Sequence, residues 1–351
     1  MTAAQLIDVN NLKVHFPIYS TGLFRKLIGH VKAVDDVSFS INRGETLGLV
    51  GESGSGKTTV GRAILRALDT TDGAVTFHKP DEAIDLLGLR QGSLRRFRKH
   101  MQLIFQDPYA SLNPRMTVRD IIAEPLECQS SASRAEVDER VREVAARCKL
   151  NVEHLRRFPH AFSGGQRQRI CIARALVTNP EFIVCDESVS ALDVSIQAEI
   201  LNLLMDLQEQ LGLTYLFIAH DLSVVAQIAS RVAVMYVGRF VEWAPTQSIF
   251  FAPKHPYTRA LLSAVPTMDT SRPFDPIKLT GEIPNPANPP TGCRFHTRCP
   301  YADAQCRNEV PEWREIAPEH FVACHKVEQL ELGVQITRNE ATRSEATMAS
   351  A

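Results

Sequence analysis

The sequence predicts an α/β fold with a helical insertion and an irregular cysteine-bearing extension, on three observations. A compact apolar strand at 46–50 runs straight into a glycine-rich turn, and 58–68 after it has helical spacing. Strand, glycine turn, helix is the opening unit of an α/β fold. A second apolar strand at 182–185 ends at two acids. It leads to Ile196, Ile200, Leu203, Leu204, Leu207 and Leu211, whose three- and four-residue spacing makes an amphipathic helix. Between the two strands, 118–176 is charged and helical in pattern, with acids and bases three and four apart.

The remaining elements follow in order. Short β-like segments at 6–9, 13–16 and 34–39 open the chain, and a long loop is expected after Phe16, to Val31. A strand at 214–219 ends at His220, and another at 232–236 is followed by Gly238 as a turn. Prolines 266, 273, 276, 284, 286, 289 and 290 preclude long helices or central strands, so 266–290 reads as an extended connector into the cysteine segment. Residues 328–351 are polar, rich in Thr, Ser, Glu and Ala, and are expected to be disordered. The expected organisation is a main α/β domain over 1–265 with a helical subdomain at about 107–180. A Pro-rich, four-cysteine extension over 266–326 and a tail over 327–351 complete it.

Composition narrows the function. The 351 residues are 44% apolar, enough for a sizeable core. Lys plus Arg (39) nearly cancels Asp plus Glu (40), so no bulk charge points to nucleic acid or anionic lipid. No segment approaches the roughly 18 consecutive apolar residues that span a bilayer. Nor does Met1 to Asp8 carry a basic region followed by an apolar stretch. A cytosolic protein is expected, with any membrane role supplied by a partner.

Gly51-Glu52-Ser53-Gly54-Ser55-Gly56-Lys57-Thr58, followed by Thr59, matches G-x-x-x-x-G-K-[ST] between a strand and a helix, where that motif belongs. Glycines let backbone N–H groups converge on phosphate oxygens, and the helix beginning near Lys57 turns its positive end towards them. Lys57 is expected to reach the β- and γ-phosphates of ATP, and the Thr58 hydroxyl to ligate Mg²⁺. Asp186 and Glu187, at the end of the 182–185 strand, suit a Mg²⁺ ligand and a group that orients the attacking water.

Many P-loop enzymes fit those two motifs. Ser163-Gly164-Gly165-Gln166-Arg167-Gln168 is more selective: it resembles the signature of the ABC ATPases, and the resemblance continues in order along the chain. Gln106 resembles the Q-loop glutamine, Ser190-Ala-Leu-Asp193 the D-loop, and His220 the switch histidine. The resemblance implies a P-loop NTPase core of the ABC type, in which two subunits dimerise head to tail. Each ATP then lies between one subunit's phosphate loop and the other's signature. Ser163, Gly164, Gly165 and Gln166 would meet the γ-phosphate across that interface, at a helix N-terminus. Gln106 would sense Mg²⁺ and the water, and His220 would bridge γ-phosphate and Glu187. Phe162 and Ser188 depart from the usual Leu and Pro of the pattern, and neither is a reacting group. For the aromatic that stacks on adenine, Phe16 is the first choice, with Tyr19 and Phe24 as alternatives.

His255-Pro-Tyr-Thr-Arg-Ala-Leu-Leu262 and the segment holding Cys293, Cys299, Cys306 and Cys324 resemble the peptide-importer branch, the oligopeptide and dipeptide permease ATPases. That resemblance implies an ATPase energising import of di- and oligopeptides. Its partners would be two integral membrane permease subunits, a second ABC ATPase of a different chain, and an extracytoplasmic substrate-binding protein. It would sit peripherally on the cytoplasmic face of the inner membrane. Nickel chelates, glutathione or sugars are alternative substrates, and a soluble ABC ATPase outside transport is a further alternative, disfavoured by the single motif set. The C-x5-C-x6-C-x17-C spacing is looser than the paired cysteines of zinc sites. Thiolates at irregular spacing hold iron–sulfur clusters, and the resemblance implies a [4Fe-4S] cluster. Zinc, disulfides or vestigial thiols are the alternatives. Cys171 and Cys185 read as core residues, and Cys128 and Cys148 carry no signal.

Overall fold

The computed structural model describes residues 4–21, 25–129, 132–190, 192–265 and 276–333. Two long strands, β1 (Gln5–Tyr19) and β2 (Leu27–Asn42), form an antiparallel hairpin, and β3 (Thr46–Val50) starts the central sheet. After the glycine turn come α1 (Lys57–Ile64), β4 (Asp72–His78) and β5 (Ala83–Asp85). The last two strands return to the hairpin to complete a four-stranded sheet of order β2-β1-β4-β5.

Next, α2 (Gln91–Phe97) and β6 (Met101–Ile104) lead into the helical insertion of α3 (Pro108–Ser111), α4 (Val118–Glu127), α5 (Arg134–Arg147) and α6 (Gly164–Leu176). Its helix starts are written in the sequence: Thr117 caps α4, and Ser133 with Glu136 makes a reciprocal capping box on α5. The chain re-enters the core with β7 (Phe182–Asp186), α7 (Val194–Leu211), β8 (Thr214–Ala219) and α8 (Leu222–Ile228). It then continues through β9 (Arg231–Tyr236), β10 (Arg239–Pro245), α9 (Thr246–Phe251) and α10 (Pro256–Ser263). The extension adds α11 (Ala304–Asn308), β11 (Arg314–Ala317) and β12 (His320–Val322).

The main sheet has eight strands in the order β11-β12-β10-β9-β3-β8-β7-β6. From β9 to β6 it is parallel. Strands β3, β7 and β8 are buried at every position, as expected where helices or a second sheet cover both faces. Their side chains divide with the two-residue period of a strand. Leu47, Leu49, Val184, Leu216 and Ile218 pack towards α1 and the antiparallel sheet. Ile183, Cys185, Tyr215 and Phe217 pack towards the helical insertion, α7 and α8. This places the C-terminal ends of β3, β7 and β8 along one edge, where ligands bind in open α/β sheets. Among the described residues, no helix is long and apolar enough to cross a membrane.

Three expectations need correction. Segments 6–9 and 13–16 are one strand whose register shifts between Val9 and Leu12, and the loop expected from Phe16 to Val31 is largely hairpin. Phe16 pairs with Val31 and Tyr19 with Leu27, because backbone hydrogen bonding recruits polar residues such as His30 and Lys32 that hydropathy leaves out. The extension is not irregular throughout: β12 pairs with β10 and so adds to the main sheet. The tail expected to be disordered from 327 on is packed at its start, where Val327 and Leu332 are buried. Residues 334–351, Pro266 and Pro273 lie outside the described residues, and 276–290 contains neither helix nor strand.

Candidate nucleotide site

The turn between β3 and α1 requires its glycines. Gly51 and Gly56 have φ of +153° and +109°, and a Cβ on either would lie 2.2 Å from a backbone oxygen, of Met235 or Ala33 respectively. Lys57 is buried, and burial lowers its pKa. Its Nζ donates to the carbonyls of Gly51 (2.7 Å) and Glu52 (3.0 Å), which holds the ammonium at the mouth of its own loop.

Strand β7 delivers the acids. Asp186 accepts from the Thr58 hydroxyl at 2.7 Å, with the Arg62 guanidinium 3.5 Å away. Burial pushes its carboxyl above the usual range. Glu187 has φ +47°, a left-handed backbone unusual for a residue with a side chain. Its amide donates to the Ile218 carbonyl of β8 at 3.0 Å. Gln106 Nε2 donates to Glu187 Oε2 at 2.7 Å, and His220 Nδ1 lies 3.6 Å from the same oxygen. Residues from four separate stretches of chain thus meet at the ends of β3, β6, β7 and β8. Ser53, Gly54, Gly56, Lys57, Thr58, Thr59, Gln106 and Glu187 line one open pocket. Ser55 is buried beneath it, its hydroxyl 3.5 Å from Lys57 Nζ.

Ser163, Gly164, Gly165 and Gln166 are not among the described residues that line this pocket. They form the start of α6, where Gly164 and Gly165 are half-buried and the exposed Ser163 and Gln166 make a reciprocal capping box. Gly165 is there because a Cβ would sit 2.6 Å from Ile196 Cγ2. Arg167 lies over the Tyr109 ring, 4.0 Å from its centroid. In the D-loop stretch, Ala191 lies outside the described residues. Phe16 (39% exposed) and Tyr19 (50% exposed) do not line this pocket, although Phe16 pairs with Val31, which does, and Phe24 lies outside the described residues.

Two contributions had no sequence signal. Pro286, from the connector, lines the nucleotide pocket, its carbonyl accepting from the Lys32 amide at 3.0 Å. Arg298 and Tyr257 contact the phosphate loop at Glu52. Both come from far along the chain, and no local spacing links them to residue 52.

The second candidate site is the cysteine loop. Cys293, Cys299, Cys306 and Cys324 line one small cavity with His255, Phe295, His296 and His325, and among the described residues no carboxylate lines it. Burial pushes Cys293 up to about 12 and Cys324 up to about 11. All eight cysteines are free thiols, so the disulfide alternative is not formed. Among the described residues, no three His, Cys, Asp or Glu side chains form a group that could hold a metal ion, which gives neither the zinc alternative nor the expected iron–sulfur cluster direct support. Cys171 and Cys185 are buried in the core as expected, Cys148 joins them, and Cys128 is exposed.

Comparison with known proteins places these sites in context. The ABC transporter pattern matches residues 34–190, and the oligopeptide/dipeptide transporter C-terminal region matches residues 241–306. An oligopeptide transport ATP-binding protein of Bacillus subtilis (strain 168) is 52% identical over 331 residues, which cover 93% of this chain and 99% of that protein. Among solved structures, a component of an ABC transporter complex from Clostridium perfringens is similar with a TM-score of 0.59 and 26% identity, over 70% of this chain and 91% of that one. A dimeric ATP-binding cassette in a post-hydrolysis state with ADP and Pi is similar with a TM-score of 0.58 and 27% identity, over 69% of this chain and 99% of that one.

Proposed function

Because the chain belongs to the ABC transporter ATP-binding subunits, in the oligopeptide/dipeptide branch, we propose that it hydrolyses ATP to energise import of di- and oligopeptides. The observation that carries the catalytic part is the convergence of Gln106 and His220 on one oxygen of Glu187, beside Lys57 and Thr58.

The chemistry follows from those groups. Lys57, drawn from its loop carbonyls to the β- and γ-phosphates, neutralises charge that builds in the transition state. Thr58 and Asp186, two hard oxygen donors already in contact, fit Mg²⁺, whose charge would offset the burial that disfavours the Asp186 carboxylate. Bound there, Mg²⁺ would polarise the terminal phosphate oxygens. Glu187 orients the attacking water and takes up its proton, with Gln106 and His220 fixing the carboxylate. The left-handed backbone at Glu187 aims it out of β7 towards that water. The exposed N-terminus of α6, with its serine and two glycines, suits the γ-phosphate of a nucleotide held by a second subunit.

The further assembly belongs to the same proposal: two membrane permease subunits, a second ATPase of a different chain and an extracytoplasmic binding protein, with this subunit peripheral on the inner face of the membrane. Phe16 is proposed to stack on adenine. The four thiols are proposed to hold a [4Fe-4S] cluster. The support is their arrangement around a single cavity without carboxylates, a donor set of soft ligands. Such a cluster would supply a cross-link among four distant points of the loop. Iron and acid-labile sulfide in anaerobically purified protein would bear this out, and iron-free protein would remove it.

The functional test is uptake of labelled di- and oligopeptides by cells carrying Glu187→Gln. Loss of uptake supports the peptide reading. Unchanged uptake moves the substrate to a nickel chelate, glutathione or a sugar.

A further inference from the structure

Glu52 is a carboxylate in a loop that otherwise attracts phosphate, and it acts electrostatically on Lys57. Left unpaired, it would oppose a bound triphosphate. Its partner comes from the cysteine loop. Arg298, the residue before Cys299, grips it with both arms of the guanidinium, Nη1 to Oε2 at 2.6 Å and Nη2 to Oε1 at 3.1 Å. This forked geometry is specific to arginine. Arg298 is 9% exposed and lies against the Tyr236 ring. The Tyr257 hydroxyl accepts the Glu52 amide at 2.8 Å. Arg294, the residue after Cys293, pairs with Asp35 and donates to the Val237 carbonyl. The neighbouring Gly238 amide donates to the Ser55 carbonyl at 2.8 Å. The phosphate loop is therefore tied directly at Glu52 to Arg298, beside Cys299, and indirectly at Ser55, through Gly238 and Val237, to Arg294, beside Cys293.

We propose that Arg298 is a positioning residue for nucleotide binding. It neutralises Glu52 and, with Tyr257, fixes the first turn of the phosphate loop, so that order in the four-cysteine loop is felt as nucleotide affinity. This rests on reading 51–58 as the phosphate loop.

The experiment is equilibrium binding of MgATP to the full chain, with hydrolysis measured alongside. Arg298→Ala is expected to weaken binding by about tenfold, the scale of losing a charge-assisted hydrogen bond. Hydrolysis at saturating ATP should change by less than about threefold. Arg298→Lys, which keeps charge but not the fork, should fall between wild type and Arg298→Ala. The decisive variant is Arg298→Ala with Glu52→Gln: with the carboxylate gone, affinity should return to within about threefold of wild type. Tyr257→Phe keeps the packing of its ring against Phe295 and tests the loop contact without endangering the fold. Its expected loss is about threefold.

Coupling is reciprocal, so saturating MgATP should slow hydrogen–deuterium labelling of the 293–299 backbone amides in wild type and not in Arg298→Ala. Unchanged affinity in Arg298→Ala would overturn the proposal. So would a loss that Glu52→Gln fails to restore, or labelling indifferent to nucleotide in wild type. Lys57→Ala separates this from the underlying reading: if it binds MgATP as wild type does, 51–58 is not the phosphate loop and the proposal falls with it.

Discussion

In the candidate nucleotide site each group proposed to act on ATP sits at the end of a regular element. Lys57 and Thr58 open α1, Asp186 closes β7, Gln106 follows β6 and His220 follows β8. In the cysteine loop only Cys306 lies in a helix, the five-residue α11. The other three thiols occupy turns and connecting chain. Helix starts and strand ends are held by the cooperative hydrogen bonding of whole elements, so a side-chain change there alters chemistry before it alters fold. The loop is held by single contacts such as the Cys293 amide to the Cys306 carbonyl (2.9 Å), and a change there alters geometry first. Regions only a few residues apart in contact can thus fail in opposite ways.

That contrast can be tested, and the largest expected effect is at Glu187. Glu187→Gln should lower the hydrolysis rate by about 10²–10³-fold while leaving ATP affinity and the melting midpoint near wild type. A large loss of stability would show that the strained backbone at this residue depends on its charge. Ser163→Arg comes next. In the assembled ATPase pair it should depress hydrolysis by about 10²-fold while this chain's own ATP affinity stays within about twofold of wild type. Weakened binding in the isolated chain would mean that the start of α6 serves its own phosphate loop.

A third test falls where the two regions meet. Burial alone would raise the Asp35 carboxyl, but Arg294, Arg239 and His15 outweigh it and hold it below the usual value. A carboxyl depressed in the folded state binds more protons when unfolded, so its stabilisation is present above the ordinary pKa and lost as pH falls through the folded value. Asp35→Asn should therefore destabilise the chain by about 3 kcal/mol at pH 7. The deficit should shrink in acid melts below about pH 4. A deficit independent of pH would make the effect one of packing. The smallest effect is expected at Phe16, where Phe16→Ala should raise the KM for ATP by about fivefold, the scale of one aromatic stacking contact. No change there would move the adenine contact to Tyr19 or Phe24.

What was legible in the sequence follows the same division. Gly51 to Thr58, Asp186 with Glu187, and the start of α6 at Ser163 announce themselves because their physics is local: glycines between a strand and a helix, an apolar run ending in acids, a serine and two glycines opening a helix. Gln106 and His220 could be picked only through family resemblance, since a lone glutamine or histidine at a strand end has no local signature. The β1–β2 hairpin was underestimated because its outer half, from His15 to His30, pairs through backbone rather than through apolar alternation. Arg298, Tyr257 and Pro286 were invisible. Arg298 meets Glu52 across 246 residues, and Arg-Cys-Pro in a turn-rich stretch reads as cysteine context rather than as a clasp on another motif.

The pairing of β12 with β10 has a consequence for how the chain comes apart. Glu242 of β10 is fully buried, and it binds His320 of β12 as well as the amides of Lys254 and His255. A protease cut between these strands would sever the polypeptide without freeing either piece, because the C-terminal fragment stays paired to β10 through β12 in the eight-stranded sheet. The nicked protein should run as one species in a native gel and as two in denaturant. A stop codon ahead of β11 is a harsher injury: it strips β10 of its neighbour and turns an interior strand into an unprotected edge, open to pairing with other copies.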